Sequence, residues 1–160
     1  MKGHSIIVTD ADMDRLRRLT RALKLTLFRD QLQLERLERT LESAEIMSSE
    51  RIPRDVIRMN SRIRVLDFDT RKKEVYTLVF PENADISTSR ISVLAPVGIA
   101  LLGHRQGDVI EPKVPGGTRR LRVERVLNSS ELARERVRPD RTTRRELHSS
   151  GTLQRTTLAA

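Results

Sequence analysis

Three histidines, one glycine pair, the four serines near the C-terminal end and a turn with a single carboxylate are the first candidates for chemistry in this 160-residue chain. A zinc site needs ligands at paired, short spacings, and His4, His104 and His148 are scattered far apart along the chain. Gly116-Gly117 has the composition of a phosphate loop, but no helix start follows it to receive an anion, so a hairpin turn is the better account. Ser129, Ser130, Ser149 and Ser150 lie in polar, tail-like sequence with no ordered base nearby, which leaves a nucleophile nothing to activate it. The segment Lys24-Leu25-Thr26-Leu27-Phe28-Arg29-Asp30 contains one carboxylate, and Arg29 beside it opposes a cation. A divalent ion taken from water wants several hard oxygens, so Asp30 alone is a poor site. The expectation is a protein with no catalytic residues, no metal, no cofactor and no small-molecule substrate.

The elements that would position these residues are of two kinds. Ser5–Val8 reads as a short extended start, and Thr9 as an N-cap with Asp12 three residues on, an acidic form of the capping box. Met13, Leu16, Leu19 and Leu23 then share one helical face. In a second helix Leu27, Leu34 and Leu41 recur every seventh residue with Leu37 and Ala44 between them, and Arg36, Glu38, Arg39 and Glu42 take the wet face. Two successive apolar seams predict an antiparallel helical hairpin, a short coiled coil, with Lys24, Arg29 and Asp30 at its tip. No Gly, Pro or Asn punctuates the joint near Lys24–Arg29, so a single long helix pairing with a second copy of the chain is the alternative, and monomer and dimer both stay open. Ser48-Ser49 is expected to end the second helix, and Ile52-Pro53 to make an extended link. Strands are predicted at Arg62–Asp67 and Glu74–Phe80, joined by the polar loop Asp69–Lys73 and followed by a surface loop at Pro81–Thr88.

From Ser89 to Val126 the pattern is denser. Arg90, Ser92 and Leu94 alternate with Ile91, Val93 and Ala95 as in a strand with one buried face. Pro96 opens a short apolar helix containing Val97, Ile99, Ala100, Leu101 and Leu102, and Gly103 closes it with a left-handed cap. Val109, Val114, Leu121, Val123 and Val126 continue the core around a hairpin on Pro115-Gly116-Gly117. The strings Ser92–Gly103 (SVLAPVGIALLG), Gly107-Asp108-Val109 and Val114–Thr118 (VPGGT) stand in the order and spacing of the C-terminal domain of the GreA and GreB transcript-cleavage factors, which this region resembles. Asp55–Val65 (DVIRMNSRIRV) narrows the resemblance to the Rnk group, the regulators of nucleoside diphosphate kinase. The resemblance covers roughly Thr9–Val126.

What the resemblance implies is an α+β fold: an N-terminal helical hairpin over residues 1–50, then an FKBP-like antiparallel sheet with one short helix over 51–127. Residues 128–160 are read as a basic, disordered tail. The implied partner is RNA polymerase, gripped at the rim of its secondary channel by Leu94, Ala95, Pro96, Val97 and Leu101, with Arg90 and Arg105 as steering charges. In the Gre factors a long coiled coil carries acidic tip residues that help hold a catalytic metal ion. Here the first helix, Thr9–Leu23, rises roughly 21 Å, about half that reach, and its tip is short of carboxylates. The expected function is therefore a polymerase-binding regulator that competes with Gre factors without stimulating cleavage.

Composition limits the alternatives. A formal net charge of +9 favours an acidic partner, either nucleic acid or an acidic protein surface. Arg134, Arg136, Arg138, Arg141, Arg144 and Arg145 suit weak, salt-sensitive DNA or RNA contact by the tail, although Glu131, Glu135, Asp140 and Glu146 interrupt them. An aromatic content of 2% argues against base stacking. It argues equally against prolyl isomerase activity, the rival that an FKBP-like fold raises, because Phe68, Tyr76 and Phe80 do not suffice for a dry aromatic pocket. With zero cysteines, no apolar run of membrane-span length and no secretion signal in Met1–Ser5, a cytoplasmic location away from membranes is expected.

Overall fold

The computed structural model describes residues 5–26, 30–128 and 131. The chain divides into a unit Met1–Ser129 and a segment Ser130–Ala160. The arginine-rich tail, like Leu27, Phe28 and Arg29, lies outside the described residues.

The first unit starts with strand β1 (Ile7–Thr9) and helix α1 (Asp10–Lys24). The Thr9 hydroxyl accepts a hydrogen bond from the Asp12 amide at 3.1 Å, which is the cap its residue type promised. Helix α2 (Gln31–Glu42) returns along α1, burying Leu34, Leu37 and Leu41 opposite Met13 and Leu16. The two helices are separate and form the antiparallel hairpin. Helix α2 ends at Glu42, earlier than the Ser48-Ser49 stop its sequence suggested, because Glu45–Met47 becomes strand β2 and pairs in parallel with β1. The reason is non-local. The Glu45 amide donates to the Ile6 carbonyl at 2.8 Å, giving the β1 backbone a partner that helical continuation would deny it.

Beyond this, β3 (Arg62–Asp67), β4 (Lys73–Val79), β5 (Arg90–Ser92), α3 (Pro96–Leu101), β6 (Val109–Ile110), β7 (Lys113–Val114), β8 (Gly117–Thr118) and β9 (Leu121–Leu127) follow in order. The main sheet runs β5-β4-β3-β9-β6, antiparallel throughout except for the parallel edge pair β4–β5. Strands β7 and β8 make a separate ribbon around Pro115-Gly116. Strand β9 buries Leu121, Val123 and Val126, a spacing that breaks alternation, and a bulge opposite Arg64/Val65 absorbs the extra residue so that all three face inward. Strand β5 is shorter than the Ser89–Ala95 run predicts. Ser92 ends it, accepting the Leu94 amide on its hydroxyl at 3.1 Å and the Ala95 amide on its carbonyl at 3.0 Å.

Gly98 shows how tightly α3 is seated. A Cβ there would stand 2.0 Å from the Ser92 carbonyl oxygen, so only glycine lets the helix lie this close to the end of β5. Gly103 takes the predicted left-handed turn, with φ +76. One hydrophobic core then joins both parts: Val8, Met13, Leu16, Leu37 and Leu41 from the hairpin belong to the same cluster as Ile57, Ile63, Val65, Leu78, Leu101 and Leu121. The guanidinium of Arg15 on α1 also caps the Phe80 ring at 4.1 Å.

Candidate functional site

The turn after β5 and helix α3 collect five of the residues singled out by sequence. Leu94, Ala95 and Pro96 are half-buried and form the outward corner where the chain enters α3. Pro96 occupies the first helical turn, where a missing N–H costs nothing. Val97 and Leu101 point the other way. Leu101 is 0% exposed and Val97 is buried, so both support the corner from inside the core. The corner continues into the loop Glu82–Arg90, which is exposed throughout and holds Ile86 at 98% exposure. In that loop Asp85 accepts from the Ser87 amide and hydroxyl at 2.9 and 2.6 Å, and these bonds hold its carboxyl below the usual range.

The two steering charges differ. Arg90 is exposed, held by its backbone, which exchanges bonds with Asp85 at 2.9 and 3.0 Å and pairs with Thr77 of β4. Arg105 is exposed but engaged, forking onto Asp55 with two bonds of 3.1 Å that raise its pKa and tie the loop after α3 to the segment before β3. At the far end of the hairpin, Lys24 leans back onto Glu38 of α2 at 2.7 Å, and Asp30 is exposed at the N-cap of α2 without a side-chain capping bond. Leu25 beside them is 87% exposed.

Sequence reading singled out Met59-Asn60-Ser61-Arg62 without assigning it a job. Its geometry is a joint. Asp12 of α1 accepts the Met59 amide at 3.2 Å, and burial raises the Asp12 pKa despite that bond. Asn60 takes a left-handed φ of 66 and donates its amide to the Leu78 carbonyl at 2.6 Å. Ser61, fully buried, accepts the Arg58 amide at 2.9 Å and donates to Asn128, whose amide group in turn donates to the Arg54 carbonyl at 2.6 Å. Helix α1, the sheet and the end of β9 meet there.

A second polar cluster was missed altogether. Arg119 donates to Asp67 at 3.0 and 2.7 Å and to Glu74 at 2.7 Å, and Tyr76 hydrogen-bonds Glu74 as well. The Arg119 guanidinium, with the Thr70 and Asp69 amides, holds the Asp67 carboxyl below its ordinary value. At Glu74 burial works upward, but Tyr76 and Arg119 outweigh it and the net shift is downward. The partners are far apart in sequence, so no local pattern announced them.

The aromatic side chains occupy different settings. Phe80 is in the core, Tyr76 belongs to the Arg119 cluster, and Phe68 lies beside Arg120 and Arg122 at 5.5 and 5.9 Å. Among the described residues no Phe or Tyr lines the cleft between α2 and α3, and its one ring is the imidazole of His104.

A module of this order, with a hairpin in front, defines a class of transcription factor, and comparison with known proteins places the chain in it. The family model for the C-terminal region of the GreA/GreB transcription elongation factors matches residues 52–128. The regulator of nucleoside diphosphate kinase of Escherichia coli K12 is 37% identical over 117 residues, 73% of this chain and 84% of that protein. GreA of Bartonella henselae is 39% identical over 84 residues, 52% of this chain but only 54% of its own length. The solved structure of a prokaryotic transcription elongation factor GreA/GreB from Nitrosomonas europaea superimposes with a TM-score of 0.65 at 38% identity, covering 78% of this chain and 100% of that one. The chain belongs to the GreA/GreB family and is a homologue of the regulators of nucleoside diphosphate kinase. It spans about half the length of the GreA protein it matches. No described helix is long and apolar enough to cross a membrane.

Proposed function

We propose that this chain is a cytoplasmic regulator that binds RNA polymerase at the rim of the secondary channel, competes there with GreA-type factors and does not stimulate transcript cleavage. Residues 51–127 act as the docking module, 1–50 as a short arm and 128–160 as a basic appendage. The corner Leu94-Ala95-Pro96 makes the contact, with Arg90 free to steer; Val97 and Leu101 hold the corner in place from the core.

The observation that carries this reading is the pairing of a Gre-type module with an arm of 15-residue and 12-residue helices. At 1.5 Å per residue α1 spans roughly 22 Å. Its tip sequence, Lys24–Asp30, contains one carboxylate, whereas delivering a divalent ion calls for more than one hard oxygen ligand.

Pull-down with core polymerase, repeated in excess GreA, tests the proposal. Retention that GreA displaces, and that Arg90→Glu weakens while leaving the melting temperature unchanged, is the expected outcome; retention indifferent to GreA would defeat it. Stalled elongation complexes given this protein and Mg²⁺ should keep their RNA at full length, and robust shortening would overturn the non-catalytic reading.

A further inference from the structure

Between α2 and α3 runs a cleft of about 410 Å³ that shares only Pro96 with the docking corner. That volume lies in the range of sites for small organic ligands, ~300 to 1,000 Å³. One wall is basic. Arg36 and Arg39 stand three residues apart on α2 and therefore on one helical face, and Lys113 of β7 also lines the cleft. Among the described residues none of the three has a carboxylate within ion-pair distance. Glu111 lines the cleft too, but Arg120 holds it at 3.2 Å.

Like charges on one helix face repel one another, and an anion bound between them relieves that repulsion. The Thr40 and Ser43 hydroxyls donate their protons to main-chain carbonyls of α2, at 2.9 and 3.0 Å, which leaves their oxygens as acceptors on that wall. The Gln33 side-chain oxygen on the same wall is buried without a hydrogen-bond partner. The opposite wall is largely apolar, made by Pro96, Ile99 and Ala100, with His104 beside them. A simple inorganic anion would leave that surface uncovered.

We infer that this cleft binds a small organic phosphate, its phosphate groups on Arg36, Arg39 and Lys113 and its ring against Pro96, Ile99 and Ala100. Arginine favours phosphate because its planar fork donates two parallel bonds to paired oxygens, and two such forks suit a diphosphate. The apolar wall suits a heterocycle. A nucleoside diphosphate combines the two.

Isothermal titration of the full chain with ADP and, separately, with inorganic pyrophosphate tests the inference, and polymerase takes no part in it. ADP should bind, more tightly than pyrophosphate, and the double variant Arg36→Gln/Arg39→Gln should weaken ADP by about tenfold or more. Both arginines reach the helix surface, so the variant keeps the fold. Arg51→Gln/Arg54→Gln removes the same charge from exposed positions outside the cleft and should leave ADP affinity within about twofold. No binding at about 1 mM ADP, equal weakening in the two double variants, or pyrophosphate binding as tightly as ADP would each overturn the assignment.

Discussion

The two ends of the helical hairpin are built from similar leucine-rich sequence and meet opposite fates. At the root, Leu16 and Leu37 are completely buried in a core shared with the sheet. At the tip, Leu25 is 87% and Leu32 59% exposed. The root is fastened further by Asp12 on the Met59 amide and Arg15 over Phe80, whereas the described tip has the Lys24–Glu38 pair, an exposed contact of the kind that contributes little. An arm attached in this way is an extension of the core, and its tip carries its most exposed leucines. Two sorts of charge are present: Asp12 and Arg15 are used in holding the fold, while Arg90, Arg36 and Arg39 have no carboxylate within ion-pair distance among the described residues.

The largest test of that contrast is Gly98→Ala. With the new Cβ 2.0 Å from the Ser92 carbonyl, α3 must move away from β5 and disturb the packing of α2 on the other side. We expect a loss of about 3 kcal/mol or more, with the helical circular dichroism and the sheet unfolding in one transition on urea titration. Two separated transitions would mean that hairpin and sheet are independent, contrary to the shared core. Next in size is Leu37→Ala, which should cost about 2–5 kcal/mol through lost burial and the cavity left behind. Its counterpart at the tip, Leu25→Ser, should change stability by less than about 0.5 kcal/mol. Chemical denaturation of the two side by side measures the difference.

The smallest and sharpest effect is a pH dependence of opposite sign at two carboxylates. Asp67 has its pKa lowered below the ordinary 3.8 by Arg119, so the stability it contributes is complete above that value and disappears as pH falls through the lower folded pKa. Asp67→Asn should therefore reduce the melting temperature at neutral pH, and its deficit relative to the parent should shrink in acid. Asp12 is the reverse. Burial raises its pKa above 3.8, so its stabilising contribution is present below 3.8 and is lost as pH rises through the folded value. Asp12→Asn should flatten that loss, and melting curves between acid and neutral pH read both slopes.

Much of this architecture could be read from local pattern. Thr9 as a cap, the seam of Met13, Leu16, Leu34, Leu37 and Leu41, the strand at Arg62–Asp67, the strand expected at Glu74–Phe80 and found one residue earlier at Lys73–Val79, and Pro96 and Gly103 bracketing α3 all follow from periodicity and backbone preference. Strand β2 could not be read this way, since Glu45-Ile46-Met47 carries no strand signal and is extended only because β1 lies alongside. Nor could the inward turn of Val97 and Leu101 be separated from the outward position of Leu94–Pro96, because a mostly apolar helix has no polar face to declare its orientation.

By itself, then, the amino-acid order determined the kinds of element, their caps and turns, and the Gre-type string from Ser92 to Thr118, because each depends on neighbours a few residues away. Tertiary structure alone decided that the hairpin root is welded to the sheet, that Asp67, Glu74 and Arg119 find one another, and that Arg36 and Arg39 share a cleft with Pro96 and Lys113. Those pairings join residues some 45 to 80 positions apart, and closing such loops leaves no periodic trace in the chain.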